Sequence, residues 1–164
     1  MSLGRRLSDK KILWTSFVAT ILITVAFPVI GSMWGITFID PISDPSAVRQ
    51  AISTMSPDQH RAHAWITGTL DVAYPLAYCS LFIGSAYKFY NRFPCLVALP
   101  FYVLAPTDLL EGVVQILALT STADWIDAKT FLTPLKTNLF LLGILTTAVG
   151  CMVWLTARAR TDLH

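Results

Sequence analysis

Three carboxyl groups and one ammonium stand inside otherwise apolar sequence: Asp71, Asp108, Glu111 and Lys136. An ionisable side chain in such surroundings is costly unless it is paired, hydrogen-bonded or used. Carboxyls gathered in low dielectric cannot all ionise without a compensating cation. That is the usual material of general acid–base catalysis, proton relays and amine-binding pockets. These four are the candidate acid–base residues, with Lys136 holding one carboxylate ionised.

Their neighbours carry polar groups at helical spacing. His60, His63, Thr67, Asp71, Tyr74 and Tyr78 follow at intervals of three or four, forming one stripe. A stripe of that chemistry should face protein or water rather than lipid. Asp108, Glu111 and Gln115 likewise share a face, just after Pro106. His63, Thr67, Tyr74, Tyr78 and Gln115 are therefore the candidate ligand-contacting residues, the tyrosines offering hydrogen bonds or an aromatic face to a cation.

His60-x-x-His63 also raises metal binding, but Asp71 lies about 12–17 Å along the helix from the two histidines. No metal site is expected, and the histidines are expected to face water at a helix start. Redox chemistry lacks cofactor ligands, so no cofactor is expected either.

Spanning helices must position these groups. The chain of 164 residues is 54% hydrophobic and 13% charged, with a mean hydropathy of +0.59. Soluble domains carry about 25% charged residues, enough to cover a wetted surface; this chain does not. Crossing a hydrocarbon core takes about 20 helical residues. Four stretches suffice: Ile12–Gly35, Ala64–Tyr87, Pro94–Leu119 and Phe131–Ala157, leaving loops 36–63 and 120–130. The expected fold is a single all-α membrane domain, a four-transmembrane-helix bundle. The first segment follows Arg5, Arg6, Lys10 and Lys11 and reads as a retained signal anchor, its apolar run being too long for a signal peptide.

Start signals add detail. Asp44-Pro45 predicts the cap and first turn of a short amphipathic helix, with Val48, Ala51, Ile52 and Met55 on one face. It should lie on the membrane surface or across the bundle mouth. Ser56 and Gln59 predict a capping box, so the second long helix begins in water. Every span contains proline (Pro28, Pro75, Pro100 with Pro106, and Pro134), which frees backbone carbonyls for other partners.

Orientation follows from Lys and Arg. The amino end, the Lys88–Arg92 loop and the tail with Arg158 and Arg160 form the basic side. Arg49, Arg61 and Lys129 lie opposite, with Asp40, Asp44, Asp58, Asp124 and Asp127. The positive-inside rule then puts both termini in the cytoplasm of a multi-pass protein, in a bacterial inner or plasma membrane. By helical rise, Asp71 lies about 10 Å, Asp108 and Glu111 about 12–17 Å, and Lys136 about 8 Å below the outer surface. The four should form one cluster open to the outside.

Cys79, Cys95 and Cys151 lack metal-ligand spacing and read as buried small hydrophobes. No basic patch interleaved with aromatics supports nucleic-acid binding. In architecture, four spans with acids inside the bundle, the chain is similar to the small membrane proteins of the sterol-isomerase and sigma-2 type. That resemblance implies a bundle whose carboxylates bind cationic amphiphiles or carbocation-like intermediates.

The expected function is binding or transformation of a lipophilic, cationic small molecule by acid–base chemistry, with the lipid bilayer as surroundings. A second reading is an accessory subunit of a larger membrane complex, the polar cluster being structural. A third, a small proton-coupled transporter, finds no internal repeat and no polar residues in the inner half of the spans.

Overall fold

The computed structural model describes residues 2–161, with side chains as far as Thr156; the side chains of Arg158 and Arg160 lie outside the described residues. Among the described residues the only regular structure is helical. Leu3–Leu7 forms a short helix, α1, and Lys10–Trp34 the first long one, α2. Pro45–Thr54 is α3, followed by α4 (Pro57–Phe89) and α5 (Pro94–Leu119). A 3-10 turn at Ile126–Ala128 leads into α6, Lys129–Thr161. Four segments, α2, α4, α5 and α6 with its preceding turn, are long and apolar enough to cross a membrane.

The helix ends form where local chemistry demands. The Asp44 side chain accepts hydrogen bonds from the amides of Ser46 and Ala47, and Pro45 occupies the first turn of α3. Ser56 and Gln59 complete the reciprocal capping box of α4. At the end of α2, Gly35 takes the left-handed conformation, φ 60°. Ile36 then donates back to the Gly31 carbonyl at 2.9 Å, closing the helix. The prolines at 28, 75, 100, 106 and 134 all sit inside continuous helices.

α4 is the hub, packing against α1, α2, α5 and α6. One apolar cluster joins Tyr78, Cys79, Phe82, Ile83 and Ala86 of α4 to Ala98, Phe101 and Leu104 of α5. A second joins Ile39, Val48, Val114, Leu119 and Ile126 at the end of the bundle that carries the long loops. Val48 of α3 is wholly buried there, so α3 is seated across the bundle mouth. α2 and α6 turn large apolar side chains outward; Leu22 is 64% exposed and Leu145 60%, which suits contact with lipid. Cys79 is buried as expected, but Cys95 is exposed and Cys151 half-buried.

Close approach of backbones depends on Gly84. A Cβ there would meet the Leu7 carbonyl oxygen at 2.3 Å, so α1 can lie against α4 only over a glycine. Gly84→Ala should therefore destabilise the chain by about 1–3 kcal/mol, read as a lower thermal unfolding midpoint in detergent. Gly68→Ala is the control: its Cβ would meet only Ile116 Cδ1, at 3.8 Å, and the midpoint should hold or rise, since alanine favours a helix interior over glycine.

Candidate functional site

Between the two apolar clusters lies a polar layer centred on Lys136. Its Nζ is 2.8 and 2.9 Å from the two carboxylate oxygens of Asp40, 3.1 Å from Asp108 Oδ1 and 2.6 Å from Glu111 Oε2. A second ammonium, Lys129, ion-pairs with Glu111 Oε1 and donates to the Asp40 backbone carbonyl at 3.2 Å. Thr133 donates to Glu111 Oε1 and Tyr78 to Asp108 Oδ2. Gln115 Nε2 donates to Asp40 Oδ1 at 3.0 Å.

Helical register explains this convergence. Asp108, Glu111 and Gln115 occupy one face of α5, and Lys129, Thr133 and Lys136 occupy the facing side of α6. Asp40 arrives from the loop after α2, anchored by its fully buried neighbour Ile39. Burial would push the Asp40 carboxyl up, but Lys136, with help from Gln115 and Lys129, holds it below the ordinary carboxylate value.

The expected set thus divides. Asp108, Glu111 and Lys136 meet, with Tyr78 and Gln115 beside them. Asp71 does not join them directly. It lines an adjoining cavity of about 260 Å³ together with Asp40, His63, Thr67, Tyr74 and Gln115. Phe27 and Phe38 supply aromatic walls, and the Tyr74 ring stands edge-on to Phe27 at 5.7 Å and to Tyr78 at 4.9 Å. Among the described residues no group donates a hydrogen bond to Asp71 or forms an ion pair with it. Gln115 Oε1 and His63 Nδ1, both buried, also lack hydrogen-bond partners.

Two readings of the sequence are corrected. Lys129 and Asp40 are not loop charges in water. Lys129 is fully buried and opens α6, so the fourth helix begins before Phe131. The spacing Lys129–Thr133–Lys136 was the available signal, since those residues recur on one helical face. Asp40, flanked by Pro41 in a loop, had no periodicity to reveal it. The histidines are not water-facing either. His63 is buried edge-on against Phe38, and the His60 ring lies 2.9 Å from the Ile52 carbonyl and 3.1 Å from that of Leu119. His60 thereby ties the ends of α3 and α5 to the start of α4.

Asp40, Asp108 and Glu111 place carboxylate oxygens within 4.8 Å of one another, a spacing able to hold a cation. Lys136 and Lys129 already put positive charge at that point, which makes the cluster an internal clamp. Its three carboxylates exceed its two ammoniums by one charge if all ionise, and Asp71 adds another.

The chain matches no known family model, curated protein or solved structure.

Removing one partner of a buried ion pair strands the others and typically costs about 3–5 kcal/mol. Lys136→Met, which leaves three carboxylates with one ammonium, should reduce stability by that order and by more than Lys129→Met in thermal unfolding. A pH dependence should accompany it. Because the folded Asp40 carboxyl lies below its ordinary value, its contribution is complete above the normal carboxylate range. That contribution should fade as pH falls through the depressed value. A pH titration of the unfolding midpoint should show the decline, shallower in Asp40→Asn.

Proposed function

We propose that this chain is a membrane protein that holds a small lipophilic cation in the cavity beside the acidic clamp. Asp71 is the counter-ion, and the proton donor or acceptor where the ligand is transformed. The observation that carries this reading is the Asp71 carboxyl on the wall of an aromatic-sided cavity with no partner of its own among the described residues. A carboxyl on a cavity bounded by Phe27, Phe38 and Tyr74 suits an ammonium with apolar substituents, through charge pairing and cation–π attraction. At about 260 Å³ the space favours a compact ligand over a drug-sized one.

The orientation adopted is the one with the amino terminus cytoplasmic. The burial of Lys129 supports it, because Arg49 and Arg61 then remain as the basic residues of the loop end. The cavity would open towards the outer side.

A second reading, an accessory subunit of a larger complex, draws on the clamp itself. Its groups satisfy one another almost completely, as a purely structural network would. The clamp and the cavity are compatible: Asp40 and Gln115 belong to both, while Asp71 lines only the cavity.

Thermal-shift titration with small hydrophobic amines tests the proposal. Wild-type protein should be stabilised, by about 2.7 kcal/mol at a hundredfold excess over Kd. Asp71→Asn should lose that gain while keeping the unliganded midpoint, and Tyr74→Leu should weaken it. If amines leave wild type and Asp71→Asn indistinguishable, the cavity is not a cation site.

A further inference from the structure

A different surface stands at the far end of the bundle from the acidic clamp. There α2, α4 and α6 leave a groove of about 510 Å³. Leu13, Phe17, Leu81 and Phe89 make its walls apolar, and its rim lies where α2 begins and α4 ends. Two ammoniums, Lys10 and Lys88, stand in that rim, and two indoles, Trp14 and Trp154, flank it. Among the described residues no acidic side chain lines the groove. Phe17 is 44% exposed and Trp14 59%, so the groove is open to the bundle's surroundings.

In a membrane, apolar walls alone do not select an occupant, because neighbouring helices and acyl chains are equally apolar. The rim does select one. Indoles settle at the headgroup level, which sets the depth of Lys10 and Lys88. Two ammoniums at that depth, on different helices and above an apolar slot, complement a molecule with an anionic head and a hydrocarbon tail. A protein helix would fill the slot but offer the lysines nothing unless it carried an acid at that level.

We propose that this groove binds an anionic phospholipid, its phosphate received by Lys10 and Lys88 and one acyl chain lying along Phe17 and Leu81. The site is independent of the cavity at Asp71 and stands or falls without it.

Trp34, Trp65 and Trp125 are all more than half exposed and belong to the loop end, so replacing them with Phe leaves Trp14 and Trp154 as reporters. The full chain would be placed in phosphatidylcholine vesicles containing a minor fraction of phosphatidylglycerol, with bromine on the acyl chains of one lipid or the other. Brominated phosphatidylglycerol should quench well above its share of the bilayer. Lys10→Gln and Lys88→Gln should each reduce the relative affinity for phosphatidylglycerol roughly fivefold, as expected for a basic residue at an anionic surface. Thr147→Phe, which fills the groove but keeps both lysines, should abolish the preference. Quenching in simple proportion to composition would overturn the site. So would a preference that survives the paired lysine substitutions or Thr147→Phe. Native mass spectrometry showing a protein subunit bound there in place of phospholipid would overturn it as well.

Discussion

The ammonium of Lys136 is the point on which the bundle's polar interior depends. It reaches carboxylates from a loop and from two positions of α5, and so ties the connection after α2 to α5 and α6. In water such contacts would be weak and screened. Buried, each group is costly alone and tolerable only with all the others present. Lys129 and Thr133 complete the arrangement around Glu111, and Tyr78 completes it around Asp108 from α4. Every long helix except α2 contributes a side chain to this layer, and α2 contributes through the loop that follows it.

Local rules made much of the frame legible. Asp44 and Ser56 act as caps because a short side-chain oxygen before an amphipathic run can satisfy the first amides of a helix. Glu111 and Asp108 were legible because a helix brings residues three and four apart onto one face. Lys129 shared a helical face with Thr133 and Lys136, but its burial, like the inward pairing of Asp40, was not legible, for a related reason. Charges near a span's end look like surface charges until the partner that draws them inward is known. The partner of each lies many residues away, on another element, and no local pattern encodes that distance. The same limitation separated Asp71 from the cluster: equal depth on neighbouring helices does not mean contact, because rotation about the helix axis also matters.

The interior therefore divides into regions of opposite character. The clamp is dense and internally satisfied. The cavity beside it keeps the unpartnered Asp71 carboxyl against aromatic walls, while sharing Asp40 and Gln115 with the clamp. Rigidity comes from the two shared residues, and receptivity from Asp71 on the wall of the same cavity. A cavity wall held by several ion pairs has little freedom to reshape, which favours recognition by a preformed surface over one moulded around its occupant.

The order of the elements along the chain has a consequence for biogenesis. Asp108 and Glu111 are carried into the bundle by α5, yet both ammoniums that meet them are carried by α6. During synthesis the acids precede their counter-charges. A nascent chain halted after α5 would hold two carboxyls without their cations, in a medium that penalises them. The last helix thus brings more than a final wall: its arrival converts an electrostatically incomplete intermediate into a closed bundle.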